Sequence, residues 1–333
     1  MSKKNVKKEY IILGALIVAL LLYLVFKGTN KVHYQLPELK AFDAKGLTKI
    51  EISKSDWAAA VILVKKDNQW FLDPLGYPVE ESILTEITNN IKDFALTELA
   101  SNSKNYVLYD LGKEKAIHII AYQNDEVVRD FELGKAASTY NHGFVKLKDD
   151  DRVFMASQIY RVNFDKPLSE FRSKVVMKLD KNEISEITID MIKDGEKFLF
   201  TRSAKPASAK TGEIKKDENQ QAQTPEPEAS WTMSNGKEGN SAELNTILAQ
   251  LSDLRCFEFF ADKKKEDFSS PIYTITLKGK KDYILSIYEK KGEAPKGDDK
   301  MYPAVSSENA YPFWLNSYVI GVVMKKPENL LNK

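Results

Sequence analysis

The sequence predicts an α+β protein: an N-terminal transmembrane helix followed by two tandem ββαββββ repeats, each an antiparallel sheet with a helix on one face. Three observations predict it. Residues 10–26 carry no charge. The stretches "LTKIEIS" (47–53) and "ISEITID" (184–190) alternate apolar and polar residues in the same phase, each after a short polar segment. Behind each lies one long segment whose apolar residues switch to helical spacing.

The uncharged run from Tyr10 to Phe26, rising about 1.5 Å per residue, would cover about 25 Å, the short end of what spans a bilayer. Lys27-Gly28-Thr29-Asn30 follows it, with no small-residue cleavage site and no adjacent cysteine. The segment therefore predicts an uncleaved signal anchor rather than a cleaved signal peptide. Lys3, Lys4, Lys7 and Lys8 precede the run and Lys27, Lys31 and Lys40 follow it. By the positive-inside rule, residues 1–9 form a cytoplasmic tail, 10–26 a single span of the cytoplasmic membrane, and the remainder an extracytoplasmic, periplasmic body.

The first repeat is expected over 47–164. "LTKIEIS", "AVILVKK" and "QWFLD" are strand-like, the last two joined by an Asp67-Asn68 turn. Ile83, Leu84, Ile87, Ile91, Phe94 and Ala95 then share one helical face, with Glu80 and Glu81 in the first turn. "AIHIIAY", "VVRDFELG", "GFVKLK" and "RVFMAS" complete the unit.

The second repeat, over 184–324, keeps this order. Trp231 takes the place of Trp70, and Leu244, Ile247, Leu248, Leu251 and Leu254 form the helical face. Asn240 and Glu243 stand at capping-box spacing. The copies match in length once the insertion 203–230 is set aside. That insertion is rich in Pro, Ala, Lys, Glu and Gln; it buries too little apolar surface to offset its ordering entropy and is expected to be disordered. Residues 165–183 form a connector, helical and then extended. The short run "YVIGVVM" (318–324) is a core strand or helix end.

Composition narrows the function. Lys and Arg number 49 against 48 Asp and Glu, without the clustered basic excess of a nucleic-acid binder. The one cysteine, Cys256, rules out an intramolecular disulfide and lies in "LRCFEFF", inside an apolar helical pattern, where it is expected to be buried. No GxGxxG, Walker, HExxH or GxSxG motif occurs. His33, His118 and His142 are dispersed, and the acidic runs at 148–151 and 296–299 suit hairpin turns better than calcium loops. No catalytic, cofactor or metal residue is assigned, and no enzyme is expected. Aromatic residues concentrate in "AYPFWLNSY", where Tyr311, Phe313, Trp314 and Tyr318 form the candidate interaction patch. Core packing is the competing account of the same residues.

Taken with the N-terminal run, the segments "LTKIEIS", "NQWFLDPLGYPVEES", "YVLYDLGKEKAIHIIAY", "FELGKAASTYNHGFVKL" and "LSEFRSKVVMKLDKNEISEITI" resemble a bacterial domain-of-unknown-function family of single-pass anchored envelope proteins. Its genes often accompany gliding-motility-like ABC exporter components. The resemblance covers about residues 10–320. It departs at Tyr109-Asp110-Leu111-Gly112, where the family's Tyr-Gly-Leu step has its glycine displaced. The resemblance implies an envelope protein acting with or beside a transporter, and carries over no catalytic residue.

Two functions follow as expectations. The first is a membrane-anchored extracytoplasmic interaction module, an accessory of an ABC-type export or envelope system. Its partner would be a membrane transporter or another envelope protein. The alternative is an envelope glycan- or lipid-binding protein or enzyme with a cleft between the two repeats.

Overall fold

The computed structural model describes residues 8–26, 34–138, 141–203, 230–291, 295 and 300–332; within 8–26 side chains are described from 12 to 23. The chain divides into two compact units, residues 1–172 and 173–333.

The first helix, α1, runs Lys8–Phe26. Among the described residues no helix is long and apolar enough to cross a membrane. The expected transmembrane helix is corrected accordingly: α1 is a 19-residue helix whose residues 12–23 are exposed.

Unit 1 contains β1 (Leu47–Ser53), β2 (Val61–Lys66), β3 (Gln69–Asp73), β4 (Tyr77–Pro78), α2 (Glu81–Lys92), β5 (Leu96–Ser101), β6 (Ile117–Gln123), β7 (Glu126–Ala136), β8 (Gly143–Leu147) and β9 (Val153–Ala156), closed by the short helices α3 (Arg161–Phe164) and α4 (Leu168–Phe171). The strands form one antiparallel sheet in the order β4-β3-β2-β1-β6-β7-β8-β9-β5. Asp67 and Asn68 both take left-handed backbone angles (φ 48° and 62°), which lets a two-residue turn match the twist of β2 and β3. Ile50 and Ile52 of β1 and Ile117 and Ile119 of β6, on alternate strand positions, share a fully buried core with Leu47 and with Ile87 and Ile91 of α2. The Phe94 ring stacks on Phe131 with centroids 4.1 Å apart.

Unit 2 contains β10 (Val175–Lys178), β11 (Glu186–Met191), β12 (Glu196–Ser203), β13 (Ser230–Met233), α5 (Ser241–Ser252), β14 (Asp253–Arg255), β15 (Glu258–Phe259), β16 (Tyr273–Lys278), β17 (Asp282–Ile287), β18 (Tyr302–Ser306), β19 (Phe313–Leu315), α6 (Ser317–Val323) and α7 (Pro327–Leu330). Its main sheet runs β13-β12-β11-β16-β17-β18-β19-β15, and β10 pairs separately with β14. This is the strand order of unit 1 without β4. Leu244, Ile247 and Leu251 of α5 are fully buried in the core with Ile187, Ile189, Ile275 and Leu285. Trp231 is also buried, its indole N–H donating to Asn245 Oδ1 at 2.8 Å. The polar tip of the ring is satisfied inside the fold.

Corresponding hydrogen bonds, the first pair to an aspartate side chain, recur in both units. Asp43 accepts from the Lys45 N–H at 3.0 Å ahead of β1, as Asp180 does from Asn182 at 2.9 Å ahead of β11. The Val79 N–H donates to the Trp70 carbonyl at 2.9 Å, and that of Gly239 to the Trp231 carbonyl at 2.8 Å.

The expected ββαββββ unit needs correction. Three strands or more precede each long helix, because "QWFLD" pairs fully with β2 and "SWTM" with β12. Each helix also ends earlier than its apolar spacing suggests, at Lys92 and at Ser252, and an extended segment follows before the next hairpin. Phe94 lies three residues after Ile91, and Leu254 three after Leu251, so apolar spacing alone cannot separate helix from the strand that follows. Cys256 is buried as expected, but between β14 and β15 rather than on a helix. The insertion falls outside the described residues except Ser203 and Ser230. These end β12 and begin β13, their hydroxyl oxygens 3.0 Å apart.

Candidate functional site

In unit 1 the connection from β5 to β6 presents an apolar tip on a fixed base. Residues Tyr106–Tyr109 form one 3-10 turn, ended by Asp110 in the left-handed region (φ 53°). The Leu111 N–H closes it by donating to the Tyr106 carbonyl at 3.0 Å, and the Leu111 side chain is buried. The Tyr106 hydroxyl donates to the Asp151 carbonyl at 3.0 Å, and the Tyr109 ring meets Phe144 edge-on at 4.7 Å. Gly134 on β7 lies so close that a Cβ there would collide with the Tyr109 carbonyl oxygen. On this base Val107 and Leu108 stand 76% and 58% exposed. In unit 2 the connection from β15 to β16 carries Lys263, Lys264, Lys265, Glu266 and Asp267 instead.

Unit 2 carries an aromatic cluster apart from its main core. Trp314 stacks on Phe260 (centroids 4.7 Å), Phe260 meets Phe268 (5.3 Å), and Phe268 meets Tyr288 (5.3 Å). The Lys263 ammonium lies 5.2 Å from the Phe260 centroid and 5.5 Å from that of Phe268. The walls are fixed by the backbone: Phe260 N–H donates to the Pro312 carbonyl at 3.1 Å, and Tyr288 N–H to the Pro303 carbonyl at 2.9 Å. Lys265 pins the loop to β18 by donating to the Ser306 carbonyl at 2.6 Å, and burial lowers its pKa.

The aromatic residues singled out in the sequence are not brought into one surface. Phe313 and Trp314 are neighbours on β19 and point to opposite faces: Phe313 is in the main core and Trp314 in the aromatic cluster. Tyr311 packs edge-on to Phe259 at 6.4 Å. Tyr318, on α6, is 71% exposed. Sequence reading missed Phe260, Phe268, Tyr288 and Lys263. The density of rings in "FEFFADKKKEDF" is a usable signal, hidden because its first residues, to Ala261, read as the end of a helix.

The polar groups form ion pairs between neighbouring side chains. Asp130 Oδ1 lies 2.7 Å from His118 Nε2 and its Oδ2 3.1 Å from Lys148 Nζ. Asp150 accepts from Arg152 through both oxygens, at 2.9 Å from Nε and 2.6 Å from a terminal nitrogen, and the guanidinium holds its pKa below the ordinary value. Asp151 pairs with Lys104. Among the described residues no three or more His, Cys, Asp or Glu side chains converge to hold a metal ion. His33 and the acidic run at 296–299 lie outside the described residues.

Residues 70–271 match the family described as "Domain of unknown function (DUF4340)". That is more than half of the 333 residues, so the chain belongs to this family. No curated protein and no solved structure matches the chain.

Proposed function

We propose that this member of the DUF4340 family is a non-enzymatic interaction module of the cell envelope, working on the extracytoplasmic side as an accessory of an ABC-type exporter. The observation that carries the reading is the tip of unit 1. Two adjacent apolar side chains, Val107 and Leu108, are held in water on a rigid turn. Leaving them exposed forgoes roughly 1.5–3 kcal/mol of burial for each. Such a tip suits insertion into an apolar pocket on a protein partner, where a few preorganised side chains supply most of the affinity. The exporter context rests on the family resemblance of the sequence.

Crosslinking in intact cells with mass spectrometry of the copurifying proteins tests this. The native chain should recover transporter permease or ATPase subunits, and the V107D/L108D chain should lose them while remaining folded. Recovery that is unchanged in the double variant contradicts the assignment of the tip. Recovery of no protein partner by the native chain contradicts the module itself.

A further inference from the structure

We propose that residues 34–43, on the path from α1 to β1, form a strap that swings open from unit 1 and is latched shut by Arg129. The segment has no regular secondary structure. Leu36, Leu39 and Phe42 pack on the core of unit 1, each only partly buried. Among the described residues, no backbone group of 34–42 is hydrogen-bonded to another backbone group. A segment ordered without such bonds has little to set against the chain entropy it loses. Segments of this kind open first, while the rest of the fold stays closed.

Polar contact between strap and sheet is left to side chains. Arg129 of β7 is 8% exposed. Its Nη1 donates to the Lys40 carbonyl at 2.7 Å, and its guanidinium carbon lies 4.8 Å from the Phe42 ring centroid. One side chain thus grips the strap at two points. Arg152 reaches the Gln35 carbonyl only at 3.5 Å, longer than the usual range for such a bond, and its guanidinium is already engaged by Asp150.

The latch is costly to keep closed. A guanidinium holds its charge at neutral pH. Burial alone acts on the Arg129 pKa, lowering it, with no carboxylate to offset the charge. Its Nε is buried without a hydrogen-bond partner. Opening returns the charge and that nitrogen to water, which offsets part of the loss of the Lys40 bond. The gap between the closed and open states is narrowed accordingly, as a movable element requires.

The strap also forms one wall of a cavity. Pro37, Leu39 and Lys40 share about 360 Å³ with Val128, Phe131 and Leu147, bordered by the charged turn at 148–150. Swinging the strap away widens this cavity onto apolar side chains of β7 and β8. Because the strap follows α1 in the chain, displacement of α1 acts on it directly. The device links the position of the N-terminal helix to the exposure of apolar surface on unit 1.

The test applies brief trypsin digestion to full-length native, R129K and R129M chains. The Lys40–Ala41 bond is a trypsin site whose carbonyl the latch holds. R129M should speed cleavage there about tenfold, the equivalent of one charge-assisted hydrogen bond. Cleavage after Lys280, in a hairpin turn of unit 2, should not change. R129K keeps a donor without the stacking plane and should fall between. Leu147→Cys supplies a second readout, since the native cysteine, Cys256, is buried: its labelling by iodoacetamide should speed by the same factor when R129M is added. The inference is overturned if R129M leaves cleavage after Lys40 at the native rate, or if cleavage rises while labelling at position 147 does not. It is overturned equally if cleavage rises alike at Lys40 and Lys280, which marks global unfolding rather than a strap. The outcome is independent of the tip in unit 1.

Discussion

The backbone N–H of Asn240 donates to the carbonyl oxygen of Leu330 at 2.8 Å. Glu80 and Phe171 make the same bond, at the same 2.8 Å, in unit 1. In each unit the residue that opens the long helix is thereby tied to the end of the last short helix, and the side chain at that end, Leu330 or Phe171, is fully buried. The terminal turn thus acts as a clamp on the core helix, satisfying one of the backbone donors that a helix start leaves without an intrahelical partner.

Truncating the clamp should cost as much as truncating any core residue. L330A removes a fully buried leucine and is expected to lower stability by about 2–4 kcal/mol in denaturant unfolding. A loss below about 0.5 kcal/mol would show that α7 is frayed in solution.

Acid should remove the contribution of the Asp150–Arg152 pair. The folded pKa of Asp150 lies below its ordinary 3.8, chiefly through the hydrogen bond to Arg152. The pair's stabilisation is therefore fully present above pH 3.8 and is lost as pH falls through the depressed folded value. D150N keeps the shape of the turn but removes the charge. It should be less stable than the native chain near neutrality and equal to it at the acid end; a gap that persists unchanged into acid would contradict the ion-pair account.

Adding one methyl at Gly134 should loosen the tip's base. A Cβ there meets the Tyr109 carbonyl oxygen and lies 3.0 Å from Leu111 Cγ, so the turn must lift away from β7. G134A should cost about 1–3 kcal/mol. It should also speed amide hydrogen exchange at residues 106–111, with little change at the buried strand β11 of unit 2. Native exchange rates in that turn would mean the base is not held by this contact.

Much of the sheet architecture was legible in the sequence. Alternation in "LTKIEIS" and "ISEITID" places Ile50, Ile52, Ile187 and Ile189 on buried faces, because a half-buried strand records its inner face at every second residue. The Asn240 cap was legible too, its side chain accepting the Glu243 N–H at 3.3 Å. Helix ends were not, since Phe94 and Leu254 fit both the helical spacing and the following extended segment. The aromatic cluster was hidden for a different reason: its rings come from the 257–268 loop, the end of β17 and β19. Only the antiparallel pairing of β15 with β19 and of β17 with β18 brings them together. The turn that carries Val107 and Leu108 likewise has its base, Tyr109 and Leu111, against Gly134, which lies beyond the next hairpin turn.

The most direct test of the interaction module is a photo-crosslinking residue placed at position 108, compared with one at position 318. Leu108 and Tyr318 are both well exposed, at 58% and 71%, but only Leu108 belongs to the apolar tip. Irradiation in intact cells should give a discrete crosslinked protein from position 108 and none from position 318. A partner captured only from position 318, or from neither, would contradict the account.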